Sequence, residues 1–250
     1  MIHLQAYAAA QLGELADQAL FRTLAADPAP ARSLQMLRHL TFWSNTFQDI
    51  TRLNLARVSD PELRKIVQTH QAEDAGHDAW FNDDLRLAFG GLPDVEAVFD
   101  SAYLPAREVC YELMSEVFLA ASDLERVALP IALEEGGKVF LPRMIAHFGR
   151  VGLGSALSAL GTKHAEGEAA HTLHNDDEAL RTLHLSPHAR ERAMQMVDRV
   201  TAAFRRFAQI LDRAVGEPTP EEAAVAERLR ELTGLRGQPR AADAAVSAIR

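Results

Sequence analysis

Apolar residues recur at three- and four-residue steps along almost the whole chain, and the alternating runs of Val, Ile and Thr that mark strands are missing. That periodicity restricts the chain to an all-α fold. Breakers and caps punctuate it at Asp27-Pro28, Asp60-Pro61, Gly90-Gly91-Leu92-Pro93, Ser186-Pro187 and Gly216-Glu217-Pro218. They outline helices over 3–25, 30–57, 61–88, 105–121, 124–148, 153–181, 187–215 and 220–233. Pro130 and Pro142 fall in or beside the fifth of these, which predicts a kink, or a helix that begins late with Pro130 in its first turn. Residues 1–234 read as a single helical domain. Residues 235–250, rich in Arg, Ala, Gln and Pro, read as a frayed tail.

At 250 residues and 48% hydrophobic content the chain can bury one substantial core. A net charge of −9 without a basic stripe argues against a nucleic-acid partner. No stretch approaches the roughly 18 uncharged apolar residues of a membrane span, and the first residues lack the basic-then-apolar layout of a signal peptide. The expectation is a soluble, cytoplasmic protein without a membrane partner. Cys110 is the only cysteine, so no intramolecular disulfide or thiolate cluster can form, and any metal must use His and carboxylates. Cys110 itself reads as a buried, inert thiol.

Five of the ten histidines fall in two short windows, 69–77 and 163–174. At about 100° per residue on a helix, His70, Glu73 and His77 share one face, and His164, Glu168 and His171 share another. Imidazole and carboxylate together suit Fe, Mn or Zn, and helical bundles build dinuclear sites from inward-facing Glu and Glu-x-x-His pairs, of which Glu168-Ala-Ala-His171 is one. A single His–Glu pair at helical spacing is more often a weak surface contact. Two trios in one helical chain, both flanked by apolar residues, favour a two-metal site. Gly76 and Gly167 lie inside these helices at a cost of about 1 kcal/mol each, which calls for a packing or site reason.

A further carboxylate is needed to complete such a site, and Glu134 and Glu135 stand side by side on an otherwise apolar helix. Helical phase aligns Glu134 with Pro130, Ile131 and Leu141, and Glu135 with Ile131 and Val139, so both are candidates. Asp74, Asp78, Asp83, Asp84, Asp176 and Asp177 read as solvated flank or as partners of the ligand histidines. Glu166 and His174 are candidate extra ligands. His39 and His147, within apolar stretches, read as core or edge histidines.

With these residues the chain resembles the haem-oxygenase-like superfamily, the seven-helix fold of haem oxygenase, thiaminase II (TenA), pyrroloquinoline-quinone synthase (PqqC) and the haem-oxygenase-like di-iron oxidases. The last branch carries His-x-x-x-Asp/Glu-x-x-His on a late helix, as in His164-x-x-x-Glu168-x-x-His171. It also takes one Glu from a middle helix, matched by Glu134 or Glu135, and a Glu and a His from an earlier helix. Family members usually place a carboxylate first on that earlier helix. Here His70 occupies the place, with Glu73 and His77 following. The resemblance implies a seven-to-eight-helix bundle and an oxidoreductase that uses two Fe(II) ions, or Mn or another divalent metal, to activate O2 for oxidation of a small metabolite. A homodimer fits the extra N-terminal helix. The rival readings are a metal-free enzyme of the TenA or PqqC kind, with these groups as acids and bases, and a non-catalytic binding protein.

Overall fold

Several helices begin where the sequence offers a side-chain acceptor for their first N–H groups. Asp60 caps the helix that opens with Pro61, accepting from Glu62 and Leu63, while Ser186 accepts from Ala189 and Ser122 from Glu125. The computed structural model describes residues 1–168 and 183–233, and among these no strand occurs. The helices, in chain order, are α1 (Ile2–Gly13), α2 (Ala19–Ala25), α3 (Pro30–Ser33), α4 (Met36–Ala56), α5 (Pro61–Glu73) and α6 (His77–Phe89). They continue with α7 (Val95–Val98), α8 (Leu104–Leu119), α9 (Asp123–Arg150), α10 (Thr162–Glu168), α11 (Pro187–Gly216) and α12 (Glu222–Thr233). Short 3-10 turns at Glu14–Asp17 and Ser101–Tyr103 precede α2 and α8.

The two longest helices form the spine. α9 is buried on nearly every side, as its almost continuous apolar sequence requires, and packs against α1, α5 and α11. α11 keeps a polar face to solvent and lays Phe204, Phe207 and Leu211 against the rest. α4 and α8 pack together on one side of this spine, α1 and α2 on another. One contiguous apolar cluster takes residues from α1 through α12. No helix among the described residues is long and apolar enough to cross a membrane.

Several expected helices are interrupted. The first splits at the 3-10 turn, and the second at Leu34 and Gln35. The segment expected as one helix over 61–88 breaks after Glu73, because Gly76 takes a left-handed conformation (φ +93°) and starts a new helix at His77. The helix expected from 153 begins only at Thr162. Residues 151–161 turn instead, with Gly152 left-handed and a side chain at Gly161 excluded by the carbonyl oxygens of Leu157 and Gly154. The end of that expected helix and the expected tail lie outside the described residues.

α9 overturns the expected late start, since it runs unbroken from Asp123 through Pro130 and Pro142. Pro130 has no N–H for the carbonyl of Arg126 one turn earlier. The Asn54 side chain of α4 supplies the missing donor, Nδ2 to Arg126 O at 2.8 Å, so the proline passes through a buried helix without orphaning that carbonyl.

Candidate metal centre

The break between α5 and α6 builds the centre. His70 sits in the last turn of α5, Asp74 at the corner and His77 at the first position of α6. Gln48 of α4 pins the corner by donating Nε2 to the Asp74 carbonyl oxygen at 2.8 Å. The Gly76 Cα faces open space, so its glycine serves the backbone turn. Gly167 of α10 lies against the Trp80 ring of α6, where a Cβ would meet the ring at 3.4 Å, an ordinary contact, so packing does not demand its glycine.

Three side chains converge at this corner. His70, 2% exposed, places Nε2 3.0 Å from Asp74 Oδ2 and 3.1 Å from Glu134 Oε1 of α9. Nε2 is buried without the alignment of a hydrogen bond to either oxygen. One ligand atom from each of the three residues lies within 4.8 Å of the others. Asp74 also faces the other way, with Oδ1 3.5 Å from His77 Nδ1. The His77 ring lies 4.5 Å, centroid to centroid, from the ring of His164 on α10. Asp74 thus stands between the His70–Glu134 pair and the His77–His164 pair.

His164 is oriented from behind. Its Nδ1 is 2.6 Å from the Ala159 carbonyl oxygen, which can only accept, so Nδ1 carries the proton and Nε2 the lone pair. The turn that presents this carbonyl is held by Asp84 of α6, whose carboxylate accepts from the backbone N–H of Ser158 (2.6 Å), Ala159 (3.1 Å) and Leu160 (3.0 Å). Burial pushes Asp84 up to about 6, and these three donors only partly offset it.

The donor set fits a divalent cation. Burial alone would lower the pKa of His70, but the adjoining Glu134 carboxylate and the charges of Asp74, Glu134 and Glu73 outweigh it and raise it. A cation between these groups would compensate the same negative charge, and one imidazole with two carboxylates suits Fe, Mn or Zn.

A cavity of about 140 Å³ opens beside the corner. Trp43, Phe47, Phe140, Met144, Phe204 and Phe207 line its apolar part, and Asp74, Glu134, His77 and His164 stand on its wall.

Of the expected site residues, the structure places His77, Glu134 and His164 on the cavity wall and His70 against Glu134. Glu73 acts on the charge of His70, but the carboxylate that converges with it is that of Asp74. Glu135, the other candidate of the adjacent pair, turns away and meets Lys138 Nζ at 2.5 Å. The Glu168 side chain, His171, His174, Asp176 and Asp177 lie outside the described residues. Glu166 and Asp83 are exposed. His147 is fully buried and satisfied, 2.7 Å from Ser33 Oγ, while His39 packs edge-on against Tyr103. Sequence reasoning missed Asp74 as a converging group, although it lies four residues after His70 and three before His77 and so shares their face on any helix. No protein-family model matches the chain, and no curated protein matches it significantly.

Proposed function

We propose that this protein is a non-haem di-iron oxidoreductase that activates O2 to oxidise a small metabolite, on a haem-oxygenase-like bundle. The convergence of His70, Asp74 and Glu134 on one buried point beside an apolar cavity carries the reading. In it, His70, Asp74 and Glu134 hold one metal. His77 and His164, with Glu168 and His171, would hold the second. The irons, when bound, supply the electrons that reduce O2.

The chain's own residues do the rest. Asp84, through the Ala159 carbonyl, keeps the proton of His164 on Nδ1 and its lone pair on Nε2. The aromatic wall excludes water from the reacting end of the cavity and holds substrate against the ligands. Oxygen uptake by the protein after anaerobic Fe(II) loading tests the proposal. Iron-dependent uptake that is lost in Glu134→Gln supports it, and uptake no faster than that of free iron would refute it.

One observation favours the metal-free alternative: an imidazole of raised pKa between two carboxylates that themselves line the cavity is also an acid–base pair. Under that reading turnover persists in chelator-treated protein.

A further inference from the structure

Resting on that reading of the site, we infer that the cavity receives a single uncharged aromatic ring bearing a hydrogen-bond donor, of the phenol or arylamine class. Size comes first. At about 140 Å³ the space matches cavities of about 150 Å³ known to take up benzene, and leaves no room for a long alkyl chain.

The wall selects among small guests. Trp43 stacks on Phe207 with centroids 4.8 Å apart and meets Phe204 edge-on at 5.2 Å, while Phe140 lies 5.4 Å from Phe204. Ring faces and ring edges are thus both offered, which suits a further ring in stacked or T-shaped contact. The polar end adds a second selection. It is built of Asp74, Glu134 and the imidazoles of His77 and His164, and no Lys or Arg is among the described residues lining the space. Before metal is bound, a carboxylate or phosphate on the guest would meet negative charge there, whereas a hydroxyl or amino group can donate to a carboxylate oxygen.

Gly137 gives the means of testing this. It lines the cavity, and a Cβ added there meets nothing within 4 Å. Gly137→Leu therefore extends a side chain into the space with no clash at its root, on a helix that gains from the loss of glycine.

The experiment is calorimetric titration of the full-length chain, before and after iron loading, with phenol, toluene, benzoate and decanoate. Before iron loading, phenol should bind saturably at one ring per chain, toluene more weakly, and benzoate and decanoate not at all, and phenol binding should persist after loading. Gly137→Leu should weaken phenol binding by about tenfold or more while retaining its iron. Should that variant fold poorly, Trp80→Phe leaves Trp43 as the one tryptophan, whose emission should shift with the phenol titration at the same affinity. Preference of the metal-free chain for decanoate or benzoate, or phenol binding untouched in both folded Gly137→Leu and the Trp43 signal, would overturn the inference. Ring binding is measured apart from iron content, so a chain that takes phenol but no iron refutes only the metal reading, and one that takes iron but no ring refutes only this one.

Discussion

Two regions of the bundle bury carboxylates and compensate them differently. Along the seam of α8, α9 and α11, Glu116 and Glu125 meet arginines. Arg199 binds Glu116 in a fork with both bonds at 2.7 Å, and Arg192 approaches both oxygens of Glu125 at 3.1 Å. At the α5–α6 corner, Asp74 and Glu134 are set against the imidazoles of His70 and His77. An arginine is always charged, so the seam is fixed as a structural crosslink. An imidazole can give up its proton to solvent and its lone pair to a metal, so the corner can exchange a proton for a cation. The difference teaches that burial of charge alone does not mark a functional site. The partner does.

Asp84, compensated by backbone N–H groups, gives the strongest test. Asp84→Ala orphans three donors and should cost about 3 kcal/mol or more in urea unfolding. It also releases the turn behind His164, so iron should fall at the His77–His164 half. Full retention of both stability and iron would detach that turn from the site.

Arg199→Ala should lower stability by about 2–3 kcal/mol, less than the full cost of breaking a buried pair because the Arg199 side chain is 48% exposed. Glu134→Gln should change metal-free stability by under about 1 kcal/mol while abolishing iron binding at the His70 half. Equal destabilisation by the two would collapse the comparison.

Acidity should read the two carboxylate environments with opposite sign. For Glu125, burial acts to raise the pKa, but the Arg192 bonds, the Ala121 N–H and Ser122 bring it below the ordinary 4.5. Its contribution is present above 4.5 and lost as pH falls through the lower folded value, so wild type and Glu125→Gln should converge in stability on acidification. Asp84 sits at about 6 against an ordinary 3.8, so the folded state takes up its proton first. Wild type should gain on Asp84→Asn as pH falls from above 6 towards 4. The same trend in both would contradict the assigned environments. The smallest effect concerns Cys110, which burial pushes up to about 12. A thiol reagent at neutral pH should leave the native protein unlabelled and label it on unfolding.

The all-helical class was legible because the apolar period persists, and the cap-plus-proline pairs Asp60-Pro61 and Ser186-Pro187 marked helix starts to the residue. Asp27-Pro28 marked the break before the next helix, with Asp27 at a positive φ, and that helix starts at Pro30 as expected. Pro130 gave no warning that a side chain 76 positions earlier would repair its helix, because that depends on how α4 meets α9. The corner at Asp74-Ala-Gly76 was hidden for a related reason: Asp, Ala and a lone Gly are all compatible with a helix, and only tertiary contacts such as Gln48 to the Asp74 carbonyl select the turn. Helical phase left Glu134 and Glu135 open because it does not show which neighbour each meets: Glu134 faces His70 of α5, and Glu135 meets Lys138.

The most direct test is iron content per chain after anaerobic Fe(II) loading and desalting, for wild type, Glu134→Gln, His164→Ala and Glu135→Gln. The account predicts about two irons in wild type and in Glu135→Gln, with loss in Glu134→Gln and His164→Ala. Wild-type protein that retains no iron, or a Glu134→Gln variant that retains as much as wild type, would contradict it.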